Sequence, residues 1–555
     1  MNTNKLDSKV LWFQNLSGGI NQSTDDALIE NNESPLLKNV ILDKVGNWSV
    51  RKGTTKLGST TAGSDRIWGL GAYNKSDGTH TFFRIANRDL EKLTEGTATW
   101  ASVDDDEWPA SKKVNMVNFL DRLYLGSEDG ATPLSYTVGT TITDVTPTIG
   151  GHYLAVNKSI LAVGGNSIKP NVVFYSQPNT DIFYDATGTC AANADVAGSN
   201  TVTTTASTFE AYHEGAAYLY NSTEGMLRFI TGFTSDTVVT TDGDTSTWDN
   251  DTVYVLIDYI TLDGKCTGIT SYQEKFITFD EDNMYLWDPQ STWSYKMPGF
   301  GCVNERTIKD VAGNLIWVDR EGIYLYDGSN RPIDISAKIK DSIDGFGLFD
   351  LINPANFSQL AAGSFDGKYY LSVGDMSTLS GAPASAMANA ELVFDISTGA
   401  WSLNSRDDEP VVYATFINSA GSKDLYYGEK TALATYKMNV GTTDADSATG
   451  TTTIAFEART PFYTFANPTI EYRVSAFYVK YKSGGDVVIT YSKNGGSYAT
   501  LKTLPSSSTT TVVKVLPTTG CTGFTHSLKF TCTSTVVIEA IGFMATPISF
   551  GKVST

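Results

Sequence analysis

Apolar and polar positions alternate along this chain in short runs, each broken by a turn of Asp, Asn or Gly and answered by a second run. Gly268–Phe279 reads Gly-Ile-Thr-Ser-Tyr-Gln-Glu-Lys-Phe-Ile-Thr-Phe, and Asp310–Val318, Gly363–Val373 and Asn118–Leu125 have the same form. Period-two alternation on both sides of a tight polar turn is the pattern of a β-hairpin. Such units recur at roughly 40-residue intervals, a spacing that predicts blades repeated radially about an axis, as in a β-propeller.

Changes in texture divide the chain. Residues 1–60 are loop-rich and read as an N-terminal arm. In it Val40–Leu42 and Trp48–Val50 flank a Gly-Asn turn and form a hairpin, and the arm is expected to fasten to the first blade. Residues 61–186 carry the first blades and 259–445 the rest, six or seven in all. Between them, 187–258 opens with small polar runs before good strands such as Leu227–Phe233, and reads as an inserted β subdomain. From 452 to 548 strands such as Val474–Tyr481 and Ser527–Cys532 alternate strictly, with Asn494-Gly-Gly as one hairpin turn, which predicts a C-terminal β-sandwich. The expected fold class is therefore all-β. Helix is scarce; Pro35–Asn39 and Ile335–Ile343 are the best short candidates.

Composition narrows the function. Charged residues are 18% of the 555 and the formal net charge is −20. An acidic surface argues against tight non-specific binding to nucleic acid, whose affinity comes from Lys and Arg. It does not exclude a passage through which DNA slides, because a wall that repels phosphate cannot grip it, and composition does not choose between the two. The five cysteines, at 190, 266, 302, 521 and 532, are widely spaced and odd in number. Reduced thiols are expected, with a Cys521–Cys532 bridge the alternative. The first ten residues are polar and no apolar run is long enough to span a bilayer, so we expect a soluble product of the cytoplasm with no membrane insertion.

Candidate chemistry is sparse. His80, His152, His213 and His526 show no metal-ligand spacing, and no nucleophile elbow or phosphate loop is present. The acidic runs Asp104–Glu107 and Asp407–Glu409 read as solvated loop edges. In Asp242–Asp251, alternate carboxylates at Asp242, Asp244, Asp249 and Asp251 offer oxygens to Ca²⁺, although the Gly and Glu of an EF-hand loop are missing. The other reading of that segment is a polar hairpin turn. Trp12, Trp108, Trp248 and Trp293 are candidates to stack on a sugar or bury in a partner; most should be blade core, with Trp108 the one to face a neighbour. No cofactor is expected.

Three groups of residues carry a resemblance. The first is Gly18-Gly19-Ile20-Asn21 followed by Asn39, Gly46 and Arg51-Lys52-Gly53. The second is Gly301–Asn304 leading to Leu315–Gly328 and Ile335-Ser336. The third is Tyr369–Val373 with Leu392–Asp395 and Trp401. Together they resemble the propeller-type tail nozzle, or packaged-DNA stabilisation, proteins of tailed bacteriophages. The resemblance spans most of residues 10–440 and leaves the region from 452 unmatched. It implies a non-enzymatic virion tail protein made in the host cytoplasm. Copies of it, six or a similar number, would ring the DNA exit channel, dock on a neighbouring tail or portal-adaptor ring, and retain and then conduct the genome without sequence-specific binding. Two other readings stay open: a peripheral receptor-binding protein for host glycans, and a propeller glycosidase.

Overall fold

The computed structural model describes residues 10–548 apart from 44, 60–64, 95–96, 98, 106–107, 193–198, 292–293, 341–346, 377–386, 419, 446–449, 466–467 and 518–519. The described elements are strands, with a few short stretches of 3-10 helix. Four-stranded antiparallel units follow one another along the chain. Sheet 1 holds Ile67–Asn74, His80–Ala86, Asp89–Thr94 and Ala101–Asp104; sheet 2 runs from Val114–Phe119 to Ile142–Asp144. Sheet 3 holds Tyr153–Asn157, Ile160–Gly164 and Val172–Tyr175, and is completed by Tyr259–Thr261. Sheet 4 runs from Gly268–Tyr272 to Ser294–Pro298, sheet 5 from Lys309–Val311 to Ile333–Asp334, and sheet 6 from Ala361–Phe365 to Ala400–Ser405. Sheet 7 holds Pro410–Ile417, Lys423–Glu429 and Thr435–Met438, and takes its fourth strand, Thr54–Lys56, from the N-terminal region.

The hairpins form where the alternation placed them, because their two-residue turns suit the twist of the strands. Leu120-Asp121, Lys158-Ser159 and Gln273-Glu274 all have φ between 46° and 61°, the both-positive geometry of type I′ turns. The first strands of the sheets lie side by side. Ile67–Asn74 packs against both Val114–Phe119 and Pro410–Ile417, and Ala361–Phe365 against Lys309–Val311 and Pro410–Ile417. The architecture is an all-β, propeller-like array of small sheets whose first strands line a common centre.

Residues 186–256 leave sheet 3 and return to it, forming a six-stranded sheet around its own core of Val202, Phe209, Leu219, Trp248 and Val255. The two ends of the chain fold together. One seven-stranded sheet combines Val10–Phe13, Val40–Leu42 and Trp48–Val50 with Tyr472–Ser483, Ser507–Val515, Cys521–Gly523 and Val536–Pro547. The other extends sheet 6: Leu37–Lys38 pairs with Ala400–Ser405 on one side and Phe456–Arg459 on the other, followed by His526–Cys532, Val487–Lys493 and Ala499–Leu504. One continuous core, from Leu36 and Trp48 through Leu371 and Trp401 to Phe477 and Phe543, fills the space between.

Two expectations are corrected. The arm does not fasten to the first blade; its strands pair with the C-terminal strands and with sheets 6 and 7. Pro35–Asn39 is not helical: Leu37–Lys38 is the strand that bridges sheet 6 to the terminal region, with Leu36 buried just before it. Of Ile335–Ile343, Ala337–Ile339 forms one 3-10 turn and the end lies outside the described residues.

Candidate functional site

The centre of the array is organised by one short turn between sheets 4 and 5. Asn304 accepts from the Arg306 amide at 3.2 Å through Oδ1. Its Nδ2 donates to the carbonyls of Ser358 and Leu360 at 2.9 and 2.7 Å. Thr307 Oγ1 donates back to the Asn304 carbonyl at 2.7 Å, and Tyr369 Oη donates to the Thr307 carbonyl at 2.8 Å. With its backbone fixed on both flanks, the turn projects Glu305, Arg306 and, one strand position on, Lys309 toward the common centre.

Arg306 spans that centre. Its Nη1 donates to the Val411 carbonyl of sheet 7 at 2.9 Å and its Nη2 to the Trp68 carbonyl of sheet 1. A guanidinium on sheet 5's leading turn therefore ties together the two sheets where the array closes on itself. Arg84, fully buried, reinforces the same seam: Nε pairs with Glu91 at 2.6 Å and Nη1 donates to the Leu433 carbonyl of sheet 7 at 3.0 Å. A planar fork with fixed donors suits this use better than a lysine would.

Beside Arg306 is a cavity of about 320 Å³ lined by the first strands of sheets 1, 2, 6 and 7 together with Glu305, Arg306 and Lys309. Glu305 Oε1 lies 3.3 Å from His152 Nε2 and 3.9 Å from Arg306 Nε. Burial pushes His152 down to about 4 despite the carboxylate, so the imidazole is neutral at pH 7. Burial pushes Glu305 up, but His152, Lys113 and Arg306 outweigh it and hold the carboxyl below its ordinary value. Because His152 is uncharged above pH 4, Lys113 and Arg306 carry that effect near neutrality. Burial also lowers the Lys309 ammonium to about 8. The space is small, polar and ionised. None of its residues was a candidate from sequence, because Glu305, Arg306 and Lys309 are unremarkable beside a strand until folding brings five sheets around them.

The sequence candidates fare differently. Asp242 accepts from the Phe229 amide at 2.8 Å and pairs with Lys169 at 3.3 Å. Asp244 accepts from the Ser246 amide at 2.9 Å, Asp249 from Asn250 at 3.3 Å, and Asp251 from Asn221 at 2.7 Å. Each carboxylate has its own partner, and among the described residues no group of three or more His, Cys, Asp or Glu is arranged to hold a metal ion. Trp108 does not face a neighbour: it is 2% exposed, packed with Tyr73, Phe83 and Leu123. Trp248 is also buried, Trp12 is 39% exposed, and Trp293 lies outside the described residues. His152, His213 and His526 are buried, and all five cysteines are buried free thiols.

Of the residues behind the resemblance, Asn39, Arg51 and Gly53 meet in one buried joint. Arg51 pairs with Asp444 through both terminal nitrogens, and its Nε donates to Asn39 Oδ1 at 2.8 Å. Asn39, at φ 57°, also accepts from the Ser405 amide at 2.9 Å and donates to the Ala455 carbonyl at 2.8 Å. At Gly53 any side chain is excluded, since a Cβ would lie 1.8 Å from the Thr443 carbonyl oxygen. Trp401 Nε1 donates to the Ile335 carbonyl at 2.7 Å and Trp317 Nε1 to that of Gly301 at 2.9 Å.

No protein-family model and no curated protein matches the chain. Among solved structures it is similar to the extracellular domain of the one component system BT4673 from B. thetaiotaomicron, at 9% identity and a TM-score of 0.37, covering 90% of this chain and 63% of that one. It is also similar to YCF48 from Cyanidioschyzon merolae, at 10% identity and a TM-score of 0.36, covering 70% and 98%. For Saccharomyces cerevisiae Sqt1 the values are 9%, 0.34, 70% and 100%. Similarity this low carries no functional argument. Among the described residues no helix is long and apolar enough to cross a membrane.

Proposed function

We propose that the chain is a seven-bladed propeller with a terminal β-sandwich that serves as a structural subunit of a bacteriophage tail, a nozzle or tail-tube component. It would form a ring of copies around the DNA exit channel. The observation that carries this reading is the joint at Arg51. The Asn39, Arg51 and Gly53 positions of the N-terminal resemblance motif are the residues that lock the arm, sheet 6, Asp444 and the terminal region into one stiff piece. Stiffness of that kind suits a part that transmits load, and no reaction is assigned to it.

The route for DNA follows from size. An axial cavity of about 320 Å³ is in the range of a small-molecule pocket, and it is crossed by Arg306. A duplex, whose major groove alone is about 12 Å wide, would pass between copies and not along the propeller's own axis. The net charge of −20 then keeps the genome from sticking to the wall. Contacts between copies would use the apolar edges of the terminal sheets, where Leu11, Trp12, Val512 and Leu516 are exposed. Cryo-electron microscopy of the assembled particle tests the reading: copies ringed coaxially about a DNA-sized channel are expected. Peripheral copies away from the axis would refute it.

A further inference from the structure

The axial cavity is lined by two cations and one carboxylate. Arg306 is engaged by two carbonyls and Glu305 lies against His152. Lys309 sits on the cavity wall beside them, and among the described residues its Nζ makes neither a hydrogen bond nor an ion pair. Its side chain is partly exposed, so the ammonium is open to an occupant of the cavity that accepts a hydrogen bond.

The surroundings define that occupant. Arg306 and Lys309 against the one carboxylate of Glu305 leave about a single positive charge facing the space. That balance matches a monoanion and disfavours a phosphate, which carries −1.5 to −2 at pH 7. The rest of the lining includes Asn74, Asn115, Asn118 and Thr415, which are donors and acceptors for hydroxyl groups. A volume of about 320 Å³ lies at the lower end of ligand pockets. We propose that this cavity is a binding site for a small polar carboxylate, a hydroxy acid or sugar acid, whose carboxylate pairs with Lys309 and whose hydroxyls meet the Asn and Glu305 groups. The proposal does not depend on how copies assemble.

The charged and titratable groups that face the site are Glu305, Arg306, Lys309 and Tyr413, with His152, Arg66, Lys113 and Glu128 behind them. His152 is already neutral above about 4. Lys309, lowered to about 8, loses its proton between pH 7 and pH 9.5. The competent fraction then falls about thirty-fold, and affinity with it.

Isothermal titration and thermal shift on the full chain test this, with gluconate and lactate as probes and sorbitol and inorganic phosphate as controls. The expected result is binding of gluconate at pH 7, no binding of sorbitol, weaker binding of phosphate, and a roughly thirty-fold loss of gluconate affinity at pH 9.5. The K309M variant should lose the gluconate response and K309R should keep it. The pH series on the unaltered chain stands even if K309M does not fold. Absence of any carboxylate response, an equal response in K309M, or affinity unchanged at pH 9.5 would overturn the proposal.

Discussion

Arg51 and Asp444 lie 393 residues apart, yet their ion pair is buried at both ends, with side chains 4% and 8% exposed. Removing one partner of such a pair strands the other charge, at about 3–5 kcal/mol. Asp444→Asn should therefore lower the urea midpoint without changing the slope, and the double change Arg51→Met with Asp444→Leu should recover much of the loss. The buried histidines make a separate prediction. Tyr491 Oη donates to His526 Nδ1 at 2.8 Å while Nε2 donates to the Gly523 carbonyl at 3.0 Å, an arrangement that fixes the neutral ring. Burial pushes His526, like His152, down to about 4, against about 6.5 when unfolded. Between those values the unfolded chain binds more protons, so the histidine contribution to stability rises with pH from 4 to 6.5 and is level above. Each histidine contributes about 3 kcal/mol to that rise. Denaturation at pH 4.5, 5.5 and 6.5 should show the slope, and His526→Gln should reduce it by about half. At this scale the sequence was a weak guide: Trp108 looked exposed between Pro109 and an acidic run, but Arg88 Nε holds its carbonyl at 2.7 Å and turns the ring inward.

Elements were legible to the extent that they are local. A hairpin is written in a dozen residues, so Gly268–Phe279, Asn118–Leu125 and Gly363–Val373 are paired strands in the registers their turns dictate. Pairing across hundreds of residues leaves no such mark. Nothing in Thr54-Thr-Lys56 distinguishes a strand that completes sheet 7 from a loop, and nothing in Leu36-Leu37 announces a bridge between sheet 6 and the terminal strands. The closing strand is the more consequential of the two. Thr55 lies opposite Lys437 and Thr54 opposite Met438, so proline at 55 removes a donor and distorts the outer edge of the seam. Thr55→Pro should destabilise the chain by about 3 kcal/mol, and in hydrogen exchange the amides of Thr435–Met438 should lose protection before those of sheets 2 to 4. Equal loss in all sheets would mean that the seam is not a separate opening unit.

The whole molecule carries its charge problem to any assembly. Copies bearing −20 repel one another at low ionic strength, while the exposed residues on the terminal sheets, Trp12 at 39% and Val512 at 53%, are apolar. Trp12 lies on one side of that sheet, its ring 5.8 Å from Tyr478, and Val512 pairs with Lys480 on the edge strand at the other. An exposed strand edge with apolar side chains is a template for a further chain, and a non-closing repeat of such a contact would give filaments where a closing one gives a ring. Screening weakens the repulsion, since the Debye length falls from about 10 Å at 0.1 M salt to 3 Å at 1 M, but leaves apolar contact intact. Sedimentation of the purified chain should therefore show association that strengthens from 0.05 to 0.5 M NaCl. Trp12→Ser combined with Val512→Asp should abolish it, and Val512→Asp alone should weaken it while leaving the thermal midpoint nearly unchanged, because Val512 is 53% exposed. Association that weakens with salt would mean that ion pairs, not the terminal edges, join the copies, and it would move the search for the ring contact to the charged faces of the blades.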